Sequence, residues 1–440
     1  MFAWNSRKPL FLSIFTAVLY GILWNTPREN SFVLVLAFFG CCYLSFRLVK
    51  QSTLQHIFFL GLGFRLLFIG IMPWLSQDFY RFIWDGLLFY KHINPYAYTP
   101  NALMESDVLF QSVLKEELWQ NMGALSAGHY SNYPPINQLG FLLSVFGVSE
   151  NLLISVVCMR LLLIAADIGI FFIGKQLLKV LHLPEKRIGW YFLNPLVIVE
   201  LTANLHWEGV MIFFFVLGWW FYLKQHHTKA ALIFALSVAT KLIPMLILPV
   251  LLRFQSVKKT VYMGLIGGGS LFLLFFPFFY EIGLDNYFAT IRLWFKNFEF
   301  NGSFYYLVRW IGFQIKGYNI IRQWGEISPY LVLLMMGAFS LWKKKKDPKE
   351  VFTAMLLLLS CYYFMASIVH PWYVIPVLFL SLFTQFSYAV FWSAAVFLSY
   401  TTYGHPSFEE NYLLLFLEYA LVFGILILEL KTRRPLLQHF

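Results

Sequence analysis

Charged residues and cysteines are both scarce in this chain. Only 12% of its 440 residues are charged, which is about half the share in an average soluble domain. The 4 cysteines lie inside apolar runs, at spacings that indicate neither a disulfide framework nor a metal site. Internal repeats of fixed period are lacking as well, which argues against a carrier built from two similar halves.

Apolar residues are abundant instead. They make up 59% of the chain, against roughly 45–50% in soluble domains, and aromatic residues alone make up 20%. Because roughly 20 residues cross a bilayer as a helix, the apolar runs predict an all-α polytopic bundle of about 12–14 spans. The runs are 10–25, 31–47, 56–74, 136–149, 152–174, 190–203, 209–223, 230–251, 260–281, 328–342, 351–369, 372–387, 388–402 and 411–430.

The net charge of +11 does not indicate a nucleic-acid partner, because the basic residues gather at the ends of apolar runs. This is the positive-inside pattern of a multi-pass protein of the cytoplasmic membrane. A count of about 14 spans, with both termini in the cytoplasm, puts the segment 75–135 outside. The basic residues that this count places in the cytoplasm are Arg47, Lys50, Arg253, Lys258, Lys259, Lys343–Lys346, Lys431, Arg433 and Arg434.

One basic cluster contradicts this count, because Lys175, Lys179, Lys186 and Arg187 would lie outside. Two explanations are open at this point. Either the run 136–149 enters and leaves the membrane on the same side and a later segment corrects the parity of the count, or these are functional charges near an anionic substrate.

Two long segments, 75–135 and 282–327, separate the apolar runs and are rich in Trp, Tyr and Phe. This is not the composition of a disordered segment. We therefore expect both segments to fold onto the membrane surface, with amphipathic helices at 78–92, 107–121 and 304–313.

The segment SQDFYRFIWDGLLFYKHINPYAYTP, residues 76–100, carries three charges with helical spacing. Asp78, Arg81 and Asp85 are spaced i, i+3 and i+7, so in a helix they share one face. A carboxylate just beyond a membrane helix is partly desolvated, is accessible to a hydroxyl group and can act as a general base. The alternative is that Asp78 only pairs with Arg81 on a solvated face. The following INPYAYTP forms either the floor of a substrate site or a simple turn with aromatic anchors.

Further candidates lie within or between apolar runs. Lys241 lies inside an apolar run, and a charged residue in such a run is by default a candidate functional residue. Such a lysine can also snorkel to the membrane surface or bind a backbone carbonyl. His206 and Glu208 either line a site or form a plain loop. The span count puts them in the cytoplasm, far from Asp78, unless the helices of 190–223 are broken. His370 lies on the outer side.

The pattern D-x-x-R-x-x-x-D-G followed by I-N-P-Y-x-Y-x-P resembles the first external loop of the GT-C superfamily of integral-membrane glycosyltransferases. More narrowly, it is similar to bacterial polyprenyl-phosphate-dependent mannosyltransferases. The likeness covers roughly residues 56–375. Its further pieces are YPPINQ at 133–138, FLNPL at 192–196, NLHWEG at 204–209, TKLIP at 240–244 and HPWY at 370–373.

The resemblance implies that Asp78 deprotonates an acceptor hydroxyl, while Arg81 and Asp85 shape the site or meet a divalent cation. No metal ligand is assigned and no cofactor is certain, while a divalent cation is possible. The expected reaction is inverting transfer of a hexose, mannose above all, from a polyprenyl-phosphate donor to a lipid-linked or surface-glycan acceptor outside the cytoplasmic membrane. The candidate substrate-binding residues are Asn94, Tyr96, Tyr133, His206, Glu208, Lys241 and His370.

The resemblance also suggests a division of the chain. Residues 1–50 form additional N-terminal helices, 51–327 the catalytic membrane module and 328–440 the C-terminal membrane helices. The competing hypothesis is a transporter or flippase for a lipid-linked or anionic solute, in which Lys241, His206 and Glu208 line a path at mid-membrane depth.

Overall fold

A computed structural model describes residues 8–106, 109–147, 150–341, 347–405 and 407–437. Within these ranges the chain is helical, without β-strands, and contains one isolated bridge between Phe300 and Ile368. The predicted all-α membrane bundle is confirmed. The lysine run 343–346 and the positions 107–108, where the second surface helix is predicted to begin, lie outside the described residues.

The α-helices alternate between long membrane helices and short pieces in the surface segments. Those of the first part are α1 (Lys8–Asn25), α2 (Ser31–Gln51), α3 (Leu54–Leu66), α4 (Asp78–Tyr90), α5 (Pro100–Met104), α6 (Lys115–Asn121), α7 (Ala124–Ala127), α8 (Pro135–Val145), α9 (Leu152–Val180), α10 (Gly189–Phe192) and α11 (Pro195–Val197). Those of the second part are α12 (Glu208–Leu223), α13 (His227–Thr240), α14 (Ile243–Ile247), α15 (Val257–Phe279), α16 (Asp285–Asn297), α17 (Phe304–Lys316), α18 (Ile321–Leu341), α19 (Pro348–Met365), α20 (Val374–Ser381), α21 (Tyr388–Ala395) and α22 (Tyr412–Thr432). A π-helix spans Ile198–Ala203, and 3₁₀-helices span Glu185–Ile188, Leu248–Arg253, Pro371–Tyr373 and Val396–Gly404.

Five helices of the described chain are long and apolar enough to cross a membrane, namely α2, α9, α15, α18 and α22, and a bent helix pair makes a sixth. Several predicted runs are divided into shorter helices. The run 230–251 breaks at Lys241, whose backbone is extended (φ −149°, ψ 141°), and resumes as α14 with Pro244 in its first turn. Proline fits a first turn, where its missing N–H would have no intrahelical partner.

Helix α8 does not cross the bundle. Its 11 residues reach only about 16 Å. On it, Gln138 donates a hydrogen bond to Asp85 of α4 at 3.2 Å, and just after it Glu150 pairs with Lys91 at 2.8 Å. Both flanks of α8 therefore contact the segment 75–135. Of the two explanations for the misplaced basic cluster, the structure supports a run that returns to the same side.

The basic residues consequently meet at one end of the bundle. Helix α9 starts beside the segment 75–135, and its 29 residues carry Lys179 about 40 Å away. There, Lys186 donates to the carbonyl of Lys50 at 2.9 Å, and Arg187 donates to the carbonyls of Leu382 and Thr384. We call this the basic end, and the end with the segment 75–135 the Asp78 end.

A sharp bend brings a second group of polar residues to the Asp78 end. The helical stretch Pro195–Ala203 and helix α12 meet at 111°. Arg160 of α9 holds this bend, donating to the carbonyls of Thr202 at 2.8 Å and Ala203 at 3.1 Å. Asn204 at the bend accepts a hydrogen bond from the backbone N–H of Leu75 at 3.3 Å. The helices of 190–223 are thus broken, and this removes the conflict between the span count and the site.

The surface helices differ in part from expectation. Helix α4 matches the predicted 78–92 closely, but nine of its residues are buried because it packs against α8 as well as α6. Of the predicted 107–121, the described residues 109–121 form a helix only at Lys115–Asn121. The first turn of this helix carries Glu116 and Glu117, where negative charge is favourable. The predicted 304–313 extends to Lys316.

Candidate active site

Asp78 is the first residue of α4 and is partly exposed at the Asp78 end. Its backbone N–H donates to Ser76 Oγ at 3.3 Å. Among the described residues, none donates a hydrogen bond to its carboxylate. Burial raises the pKa of Asp78 to about 6, and the positive charge of Lys241 opposes this increase. The carboxylate is therefore mostly ionised at neutral pH, yet basic enough to take a proton.

Lys241 lies at the break between α13 and α14, with its ammonium bound to the carboxylate of Glu208, the first residue of α12. The ammonium also lies over the ring of Tyr373, 5.2 Å from its centre. Lys241 thus neither snorkels nor depends on a backbone carbonyl. Two polar positions that are 33 residues apart form one ion pair, and the charge of Lys241 acts on Asp78.

Two histidines stack on a single indole. The ring of His206 lies 3.7 Å from that of Trp372, and the ring of His370 lies 4.5 Å from it, both nearly parallel. Within the described chain, His206 Nε2 and His370 Nδ1 are buried without a hydrogen-bond partner. The NLHWEG and HPWY motifs therefore meet in space, and His370 Nδ1 remains available to a ligand.

Sequence reasoning missed a second buried carboxylate, Glu200 of the π-helix. Tyr400 donates to it at 2.8 Å, Asn204 donates at 3.4 Å, and His206 Nε2 lies 3.5 Å from its Oε2. The charge of Asp78 is close enough to act on it. The sequence contained a signal for it, since an acidic residue inside the apolar run 190–203 is by default a candidate functional residue.

Arg81 and Asp85 form a buried ion pair at 2.8 Å. Arg81 also donates to the carbonyls of Ser126 at 2.6 Å and His129 at 3.0 Å, while Asp85 accepts a hydrogen bond from Ser131. Asp78 therefore does not pair with Arg81 on a solvated face. The pair fastens the loop before α8 onto α4. Within the described ranges, no three His, Cys, Asp or Glu side chains gather as a metal site.

Asn94 and Tyr96 lie behind the site. Asn94 donates to the carbonyl of Phe278 at 2.6 Å, and the fully buried Tyr96 donates to the carbonyl of Tyr133. The ring of Tyr133 is half-buried, packs edge-on against Phe82 at 5.0 Å and lies near the charge of Asp78. Tyr133 thus lines the site, whereas Asn94 and Tyr96 connect the segment 75–135 to α15.

The chain matches the family described as "Alpha-(1->6)-mannopyranosyltransferase, N-terminal domain" over residues 16–255, more than half of its length. It belongs to this family of GT-C type mannosyltransferases, which confirms the predicted resemblance. The matched range includes the segment with Asp78 and the motifs up to TKLIP, and ends before HPWY. No curated protein gives a significant match.

Proposed function

We propose that the protein transfers mannose from a polyprenyl-phosphate donor to a hydroxyl of a lipid-linked or surface-glycan acceptor, on the outer side of the cytoplasmic membrane. The observation that carries this proposal is the position of Asp78. Its carboxylate, with a pKa of about 6, lies at one end of the bundle, close enough to the partly exposed ammonium of Lys241 for the two charges to interact. This is the arrangement that a hydroxyl nucleophile and an anionic leaving group require.

The reaction is a single displacement. The acceptor oxygen attacks the anomeric carbon from the face opposite the phosphate, the bond between that carbon and the phosphate oxygen breaks, and Asp78 takes the hydroxyl proton. The polyprenyl phosphate leaves as an anion, and the configuration at the anomeric carbon inverts. Because this anion needs charge stabilisation more than protonation, one carboxylate suffices, whereas glycosidases use two.

Lys241 is the group that holds the donor phosphate. A lysine ammonium has three N–H donors, and Glu208 occupies one side of it, so the others remain for phosphate oxygens. His370 adds a ring nitrogen without a hydrogen-bond partner among the described residues, and His206 Nε2 lies 3.5 Å from Glu200. Glu208 orients the ammonium, and charge-assisted hydrogen bonds of this kind are the strong ones.

The remaining candidates act through position. Arg81 and Asp85 hold the loop before α8, and Asn94 and Tyr96 hold the segment 75–135 against α15. Tyr133 lines the space beside Asp78. We assign only Tyr133 of this group to direct substrate contact.

The orientation follows from charge. The basic end carries Lys50, Lys186 and Arg187, so the positive-inside rule puts that end in the cytoplasm and the Asp78 end outside. A transporter would place its charges at mid-membrane depth with access from both ends. Here Glu208 and Lys241 instead lie with Asp78 beside the surface segment, which supports an enzyme.

The test is transfer of radiolabelled mannose from polyprenyl-phosphate mannose to a lipid extract of the host membrane, by the full-length protein in nanodiscs. Wild type should transfer label and Asp78→Asn should not. The matched control is Asp285→Asn, because Asp285 is an exposed aspartate that also begins a helix. Transfer by Asp78→Asn at the wild-type rate would rule out Asp78 as the base, and no transfer by wild type would contradict the donor.

A further inference from the structure

A cavity of about 410 Å³ lies beside the loop that carries Asp78. Its walls come from residues 24–29, at the end of α1 and in the connection to α2, and from Pro73, Trp74, Ser76, Gln77, Phe79, Tyr80 and Asn121. The neighbours of Asp78 in the chain, Gln77 and Phe79, belong to this wall. The volume falls in the range of roughly 300–1,000 Å³ that is typical of small-molecule sites. The proposed transfer reaction does not involve this cavity.

Four aromatic residues line the cavity: Trp24, Trp74, Phe79 and Tyr80. Phe68 supports both indoles, stacking on Trp74 at 5.8 Å and meeting Trp24 edge-on at 6.5 Å. Trp24 is still 36% exposed. Rings held rigidly in this way offer apolar faces beside polar groups, and bind amphipathic molecules with little loss of conformational entropy.

The polar part of the wall is rich in amides and carries no net charge. Asn25, Gln77 and Asn121 contribute side-chain amides. The two charged residues, Arg28 and Glu29, pair with each other at 3.5 Å. Such a wall suits a neutral molecule with many hydroxyl groups. It does not suit a phosphate, which needs unpaired cations.

The cavity is adjacent to the reacting groups. Tyr403 lies under the guanidinium of Arg28, 4.9 Å from its ring centre, and is also near the charge of Asp78. A molecule in the cavity therefore lies beside the loop that carries Asp78, whereas the Lys241 ammonium is bound to Glu208 of α12.

We propose that this cavity is the acceptor subsite and binds a neutral sugar unit of the acceptor glycan. The proposal rests on the proposed function, since it identifies which substrate lies on this side of Asp78. It separates the two substrates by charge: the anionic donor phosphate binds at Lys241, and the neutral acceptor sugar binds between the aromatic rings supplied by α1 and by the residues before α4.

The test measures sugar binding apart from catalysis. A short α-linked manno-oligosaccharide is titrated into the full-length Asp78→Asn protein in nanodiscs, and binding is followed by saturation-transfer NMR. We expect saturable binding that Trp24→Ala weakens at least tenfold and that Trp24→Phe weakens less. Trp310→Ala is the matched control, because Trp310 is 60% exposed on α17 and is not part of the cavity wall.

The outcomes separate the two proposals. Absence of binding, or equal binding by Trp24→Ala and Trp310→Ala, overturns the acceptor subsite. Binding that depends on Trp24, together with a wild-type protein that transfers no mannose, supports the subsite and faults the proposed donor instead. Melting temperatures of the variants show that the comparison is made on folded protein.

Discussion

The pH dependence of transfer is the sharpest consequence of the site. With a pKa of about 6, Asp78 is ionised in roughly 90% of molecules at pH 7 and in roughly 10% at pH 5. Because only the ionised form accepts a proton, kcat/KM should fall about tenfold for each pH unit below 6. This fall in kcat/KM is the acid limb of the pH profile, and with the pKa of an ordinary aspartate it would lie near pH 4.

The variant Lys241→Gln tests what sets the pKa of Asp78. The charge of Lys241 lowers the pKa of Asp78, while burial raises it. Removing the charge leaves the burial effect unopposed, so the acid limb should move to higher pH, by about one unit. The maximal rate should fall as well, because the donor phosphate loses its cation. Lys316→Gln is the control, since Lys316 is an exposed lysine at a helix end.

The assay is the initial rate of mannose transfer between pH 4.5 and about 8.5, a range that brackets the expected limb. A wild-type limb near pH 4 would refute the argument that Asp78 is a desolvated base. A limb at the same pH in wild type and Lys241→Gln would refute the interaction between the two charges. A shift of the acid limb towards lower pH in Lys241→Gln would contradict the expected direction of the change.

Two further predictions concern the packing that supports the site. Arg81→Met leaves Asp85 buried without its partner, so the free energy of unfolding should fall by about 3–5 kcal/mol; an unchanged melting temperature in detergent would contradict this. Gly86→Ala should also lower the melting temperature, because a Cβ there would lie 2.5 Å from the carbonyl oxygen of Phe141. Gly63→Ala, with no atom within 4 Å of its Cβ, should be neutral or stabilising, and equal effects of the two alanines would refute the steric argument.

The sequence predicts the local parts of this site well. Helix α4 and the grouping of Asp78, Arg81 and Asp85 on it follow from spacing alone, because helical periodicity is a local property. The partner of Arg81 does not follow from spacing. Asp85 becomes the partner because Ser131 and Gln138 return to the same buried position and satisfy its second oxygen.

The span count shows a similar limit. Hydropathy identifies apolar runs, but it does not tell a crossing helix from a short one that returns. Helix α8 and the 111° bend before α12 are both apolar, yet their direction depends on contacts with distant parts of the chain. Asp85 accepts a hydrogen bond from Gln138, Lys91 pairs with Glu150, and Arg160 donates to the carbonyl of Thr202. Such contacts have no periodic signal in the sequence.

The amino-acid sequence by itself determined the membrane class, the all-α fold, the acidic helix and the resemblance to mannosyltransferases, because each depends on composition, periodicity or contiguous motifs. Only the tertiary structure decided which charges meet. It brought Lys241 to Glu208 and Tyr400 to Glu200 across up to 200 residues. The physical reason is that a charge or hydroxyl in an apolar bundle must find a partner, and the folded path of the chain selects that partner.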